Sequence, residues 1–392
     1  MWSALWGKWY SFFARRYQEK RSYFTGIIRN WNERGYYKEA GDFEHNMQRA
    51  DQLTELIQSR AYSAETKHLY RELKGLYVLL NESSKNIVRQ WVEALVVAGA
   101  FALFFRNFVF GLYHVPSGSA ERTILVGDRV WGNKFSYRFG QKVKRGDMII
   151  LSDPTFKYDE SSSFGKVWQK YIGIGLPFLG LKHGPDSWVK RAIALPGDTI
   201  EGKVEDGRAT VYINGEKLDE SQYVNPYPLL ALKKSTGFLP QGFFSSFGLP
   251  GLFEKSEKLV FYSYDENESF KDQPFYYMEQ NDIFLHPQTG MPWLKQPTDT
   301  TELDTFGPIK LPKGKYWAMG DNRRHSDDSR RWLFLDESII DGRASFVVYS
   351  VDSEESWWLF ELIKHPFTFW KRYVRWNRFG LSLSKLPGAK LN

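Results

Sequence analysis

The sequence predicts a mainly β, antiparallel domain, preceded by a membrane-length helix and a helical N-terminal extension. Three observations predict it. After Pro116 apolar and polar residues alternate in short runs broken by Gly-Asp and Asn-Gly turns. Between Ile87 and Val115 lies the apolar stretch "IVRQWVEALVVAGAFALFFRNFVFGLYHV". Between residues 40 and 90 apolar side chains recur every three or four positions without a proline.

Composition narrows the setting. The 392 residues include 15 Trp, 22 Tyr and 30 Phe and carry a net charge of +7. Aromatic and basic residues together suit a membrane interface. No nucleic-acid motif accompanies the charge, so an anionic lipid surface is the expected partner and nucleic acid is not. With no cysteine, disulfides, thiolate chemistry and Cys-ligated metals are excluded.

Residues 1–86 form the helical extension. Its start, "MWSALWGKWYSFFARR", lacks the clean apolar core of a cleaved signal peptide. It reads either as an interfacial aromatic anchor or as the start of a buried helix. Residues 40–90 read as a helical hairpin with no chemistry of its own. Residues 87–110 are the expected transmembrane helix. The uncharged centre, Ala94 to Phe105, spans only twelve residues, against about 20 needed to cross a bilayer. Glu93 and Arg106 must therefore reach the headgroups; a buried core helix is the alternative. Lys85 and Arg89 favour a cytoplasmic N-terminal side, and Arg106 weakens that bias.

Residues 111–351 hold the β-rich domain. Its strands are read from "TILVGDRVWGNKFS", "RGDMIILSD", "DTIEGKVEDGRATVYINGEKL" and "GRASFVVYSV". Segments near 154–186 and 222–312 read as insertions on the surface; the apolar, glycine-rich piece at 171–181 could instead touch lipid. Residues 352–392, with Lys364, Lys371, Arg372, Arg375 and Arg378 among aromatics, have the composition of an amphipathic helix on an anionic membrane. A solvated basic tail is the alternative.

Three stretches carry the chemistry: "HVPSGSAERTILVGD" (114–128), "KRAIALPGD" (190–198) and "GDNRRHSDDSRRW" (320–332). A serine hydroxyl needs a general base before it can attack a carbonyl. His114 and His325 lie in these stretches, but no Ser-His-Asp order emerges. A neutral lysine can replace histidine. Bringing a lysine from about 10.4 to 7 or 8 takes roughly 3 to 4 kcal/mol, which burial among apolar groups supplies. The apolar run after Lys190 fits that demand, with burial as the first cause and the charge of Arg191 as the second.

In this order, behind a membrane span, the three stretches resemble bacterial type I signal peptidases, the leader peptidases: membrane-bound Ser-Lys endopeptidases that remove signal peptides. The resemblance runs from about Arg89 to Val351. It implies a β-rich catalytic domain on the extracytoplasmic face of the cytoplasmic (inner) membrane, with residues 1–86 in the cytoplasm. It implies Ser119 as nucleophile and Lys190 as general base. Ser117 and the backbone N–H of Ser119 would bind the oxyanion, and Ser326 would hold the lysine amine. Gly320, Asp321, Asn322, Arg323, Asp328 and Arg330 would support the loop around it. Preproteins bearing signal peptides would be the substrates, pairing as an extended strand with a sheet edge. Phospholipids and the export machinery would be partners, and no metal or other cofactor is implied. Two positions depart from the family pattern. Ala120 replaces the usual Met, leaving pocket space, and Arg122 replaces the usual Pro, adding charge near the membrane-facing rim. Self-cleaving repressors share the Ser-Lys chemistry, but they need a DNA-reading helix and no span. A non-catalytic envelope protein would not need all the reacting groups.

Overall fold

A computed structural model describes residues 2–58, 67–85, 87–176, 179–236, 256–270, 272–273, 278, 280–353 and 359–385. They fall into two compact units, Met1–Ala100 and Phe101–Asn392.

The first unit holds helices α1 (Trp2–Glu33), α2 (Tyr37–Gln58) and α3 (Lys67–Ser83). The expected hairpin is joined by α1 into a three-helix bundle. Tyr17, Phe24 and Ile28 share one face of α1 and bury against Phe43, Met47 and Leu53 of α2 and Leu73 and Leu80 of α3. The Tyr17 hydroxyl donates to Met47 O at 2.8 Å and to Asp51 at 2.7 Å, so the buried ring keeps its polar end satisfied. The anchor reading of the first residues lies outside the described side chains.

Helix α4 spans Ile87–Phe108. Its 22 residues rise about 33 Å, a little more than the roughly 30 Å hydrocarbon core of a bilayer. Within it Val88–Phe108 has mean hydropathy 1.5 and no buried residue. A buried core helix is therefore not what forms. The helix is long and apolar enough to cross a membrane, and it stops two residues short of the expected end because strand pairing begins at Phe110.

Among the described residues every strand pair of the second unit is antiparallel. Strands β1 (Phe110–His114), β2 (Asp128–Asn133), β3 (Met148–Ser152) and β4 (Ser187–Ala194) come first. Next are β5 (Thr199–Glu205), β6 (Arg208–Ile213) and β7 (Glu216–Lys217), then β8 (Leu229–Thr236), β9 (Ser256–Ser263) and β10 (Leu294–Lys295). The last are β11 (Phe306–Lys310), β12 (Lys315–Met319), β13 (Leu335–Asp336) and β14 (Ile340–Ser350). The main sheet has the order β1-β2-β14-β3-β4-β12-β13, and two smaller sheets are β11-β5-β6-β7 and β10-β8-β9. The continuous apolar run Met148–Leu151 is buried on both faces, as a central strand requires.

Two sequence expectations change. The segment near 222–312 is more than a surface elaboration. Its sheet β10-β8-β9 has a core of Leu230, Leu232, Val260 and Tyr262, and that core includes Leu125 and Val126, close behind the expected nucleophile. Residues 237–255 of this segment lie outside the described residues. The tail is not one amphipathic helix either. It forms short turns, with helix Leu359–Lys364 followed by single turns at Phe369–Tyr373 and Trp376–Arg378. Phe369 and Val374 are buried against Val351, and two of its arginines bind buried carboxylates, Arg375 that of Asp352 and Arg378 that of Asp128 in β2. In the other insertion a helix, Ser163–Tyr171, precedes the apolar glycine-rich piece. There Ile174 and Leu179 are exposed, and 177–178 lie outside the described residues.

Candidate active site

Strand β1 leads directly into the first stretch. Ser117 is extended, and Gly118–Ala120 make one tight turn. The turn closes through Glu121 N to Gly118 O (3.1 Å), and Thr123 N and Ile124 N both donate to Ala120 O (3.2 and 2.9 Å). Ala120 and Ile124 are the apolar pegs. They are buried with Val130, Met148 and Val347, leaving Ser119 half-buried and Ser117 exposed. Ala120 also lines the cavity described below.

The second stretch is β4. Lys190 is 3% exposed. Its Nζ donates to Ser326 Oγ at 3.0 Å and lies 5.8 Å from the Trp188 ring centre. Burial pushes its pKa down to about 8. Asp328 and Asp327 oppose that shift, and Arg330 reinforces it. Arg191, expected as the second cause, is not among them. The side-chain period of a strand turns it to the opposite face. There its Nε and Nη2 donate to the two carboxylate oxygens of Asp321 at 2.8 and 2.6 Å, and Nη2 also reaches Thr123 Oγ1 at 3.0 Å.

The third stretch wraps around the lysine. A Cβ at Gly320 would lie 2.2 Å from Ser326 Oγ and 2.4 Å from Ser119 O, so a side chain there would displace both. Asn322 N donates to Ser119 O at 3.1 Å, and Asn322 Nδ2 donates to buried Glu121 at 3.1 Å. Asp328 accepts from Gly320 N at 3.0 Å and from Arg330 Nε and Nη2 at 2.9 Å each. Burial raises the pKa of Asp328, but the Arg330 hydrogen bonds and charge outweigh it and hold the group below the usual carboxylate range. Arg330 also binds Asp304 at 2.6 Å, and Arg323 pairs with Glu220 and donates to Gly320 O at 3.1 Å.

A cavity of about 1480 Å³ receives Ser117, Ser119, Lys190 and His325 in its wall. One side is the run Gly111–Ser117 and the other Gly184–Lys190. Among the described residues, β1 pairs with β2 alone, and β12 meets β4 only from Arg191 onward. One edge of β1 and one edge of Ser187–Lys190 in β4 thus carry no partner strand among the described residues, the kind of edge to which an extended peptide can add. His114 is pushed down to about 4 by burial and by Arg129, so it stays neutral across ordinary pH. His325 is half-buried, its ring 5.7 Å from that of Phe261. Arg122 is half-exposed. It adopts φ 82°, a conformation closed to proline, and its Nη1 donates to Ser221 O and Val224 O at 2.9 and 3.2 Å. Sequence reasoning missed Thr123, Glu121 and Arg191 as members of this cluster. The doublet Lys190-Arg191 did carry a signal: in a strand buried on both faces, both cations need burial partners.

The profile of the family described as signal peptidase, peptidase S26 matches residues 88–349. The chain belongs to this family. Signal peptidase I S of Bacillus subtilis is 28% identical over 270 residues, covering 69% of this chain and 93% of its own. Signal peptidase I of Haemophilus influenzae is 26% identical over 314 residues, covering 76% and 79%. A solved signal peptidase I from Enterococcus faecalis is 18% identical over 52% of this chain and 97% of its own, at a TM-score of 0.20, too low to carry a structural argument. Membership of this peptidase family, together with α4, marks a membrane-anchored protein.

Proposed function

We propose that this chain is a serine endopeptidase that removes N-terminal signal peptides from preproteins at the membrane, with Ser119 as nucleophile and Lys190 as base. One observation carries the reading: a lysine with a pKa near 8 is held by Ser326 in the wall that also holds Ser119. Only the neutral amine can take a proton, and at this pKa a tenth of it is neutral about one unit lower, near pH 7. The substrate lies extended between β1 and the start of β4. Ser119 Oγ attacks the scissile carbonyl as its proton passes to Lys190 Nζ. The oxyanion is met by the Ser117 hydroxyl and the Ser119 N–H, a contribution of about 3 to 4 kcal/mol from one such donor. Lys190 then protonates the leaving amine. In the second half a water gives its proton to Lys190, hydrolyses the acyl-serine, and the proton returns to Ser119.

The catalytic unit works on the extracytoplasmic face of the cytoplasmic membrane, where exported chains emerge, and residues 1–86 stay inside. Preproteins, phospholipids and the export machinery are the corresponding partners. The test is incubation of detergent-solubilised protein with a preprotein, followed by N-terminal sequencing of the product. Cleavage after a signal peptide by wild type and none by Ser119→Ala supports the reading. Cleavage by Ser119→Ala at the wild-type rate sinks it. A reporter fused after Asn107 should appear outside the cytoplasm, and the opposite orientation would overturn the localisation.

A further inference from the structure

The family match ends at residue 349, yet the last described segment reaches back to the catalytic turn. Phe369 and Val374 bury against Val351 and fix the segment beside the end of β14. From there Arg378 extends inward. Its Nε and Nη2 donate to the two carboxylate oxygens of Asp128 at 3.0 and 2.6 Å, and Nη2 also donates to Thr123 O at 3.0 Å. Asp128 is fully buried and accepts Leu125 N at 2.9 Å. Thr123 belongs to the turn that follows Ser119, since Thr123 N and Ile124 N both donate to Ala120 O. Asn322 N holds the near end of that turn at Ser119 O. Arg378 holds the far end.

We propose that Arg378 is a positioning residue: by capping the Thr123 carbonyl and neutralising Asp128 it fixes the turn that aims Ser119 into the groove. The inference rests on the reading of Ser119 as nucleophile. A buried carboxylate needs a paired cation. A planar guanidinium that grips both carboxylate oxygens also has its remaining donors fixed in direction, which lets one of them meet Thr123 O. Lysine can supply the charge but not this fork. Neighbouring Arg375 donates instead to Val126 O (2.8 Å), Ser350 Oγ (3.1 Å) and Asp352 (2.6 Å). It ties the segment to the end of β14 and does not touch the Thr123 carbonyl, so it serves as the control.

The experiment uses the full chain in detergent with a preprotein, below the lowest Tm of the set. Arg378→Ala should lower kcat about 10- to 100-fold, the cost of misplacing a reacting group by an ångström or so, with KM unchanged and partial rescue by added methylguanidinium. Arg378→Lys should restore the charge but remain slow. Arg375→Ala should lower Tm while keeping kcat within about 3-fold. In hydrogen exchange, the amides of Thr123 and Ile124 should lose protection in Arg378→Ala and not in Arg375→Ala. If Arg378→Ala does not fold, Arg378→Lys carries the same readouts. Wild-type kcat in the Arg378 variants, or a loss that merely tracks Tm as in Arg375→Ala, overturns the inference. Where Ser119→Ala is inactive, that result sinks the role of Arg378 alone; where Ser119→Ala still cleaves, the nucleophile reading falls and this inference with it.

Discussion

Lys190 and Arg191 are consecutive, both buried, and lie on opposite faces of β4. On one face the ammonium faces a serine hydroxyl, and burial drives its pKa down to about 8. On the other, burial also works against the guanidinium, but Asp321 outweighs it and the pKa ends above its ordinary value. Depth of burial is the same, so the partner decides the outcome. A cation gripped by a carboxylate fork is locked in its charged form and serves structure. A cation given a neutral hydroxyl is pushed toward its neutral form, which a base requires. The three carboxylates that favour the charged lysine, Asp328, Asp327 and Asp321, do not offset its desolvation. Asp328 is itself bound to Arg330, and Asp327 is exposed.

The largest effect should come from breaking the lysine side. Lys190→Met should reduce cleavage by about 10⁴-fold or more, as loss of one member of a unit does. The same substitution should stabilise the protein. The folded pKa lies below the unfolded value of about 10.5, so the unfolded chain binds more protons between the two. Wild-type stability is therefore lost as pH falls from about 10.5 to about 8 and levels off below that. Relative to wild type, Lys190→Met should gain about 3 kcal/mol at pH 7 and nothing above pH 11, read by urea unfolding. An unchanged difference across that range would detach the lysine from its burial cost.

Next comes the arginine side. Asp321→Ala leaves Arg191 buried without its counter-ion and should cost about 3 to 5 kcal/mol in urea unfolding. Equal stability would mean that the pair is no more structural than Lys190 is. Ser117→Ala should lower kcat by about 10²- to 10³-fold with KM little changed; a loss of only a few-fold would leave Ser117 as a turn residue. The smallest effect is expected at His325. In His325→Gln the rate should stay within about 3-fold, and activity should still rise with pH through about 8. A limb near about 6.5 that vanishes in this variant would transfer the role of base from the lysine to histidine.

The contrast also shows what could be read in advance. The alternating segments after Pro116 placed the strands, because a half-buried sheet demands period two. The three stretches named the candidate reacting side chains through their resemblance to the signal peptidases, and the apolar run after Lys190 fitted a lysine base. Less legible were the partners. Arg191 was expected to press on Lys190, and it instead meets Asp321, 130 residues away. Arg122 and the 222–312 segment read as departures and decoration, but one grips the carbonyls of Ser221 and Val224 and the other shares a core with Leu125 and Val126. The tail read either as a helix lying on a membrane surface or as a solvated basic tail, whereas Arg375 and Arg378 pair with Asp352 and Asp128.

By itself the sequence determined the family, the membrane-length helix, the antiparallel character of the domain and the identity of the candidate reacting groups. These depend on residue type and short-range order, which are local properties of a chain. Only the tertiary structure decided which of two adjacent cations became titratable near neutral pH and which became a strut. It also decided that a tail arginine would close the turn behind Ser119. The reason is that burial and counter-charge are set by segments that meet only when the sheet closes, and a pKa responds to those surroundings rather than to neighbours in sequence.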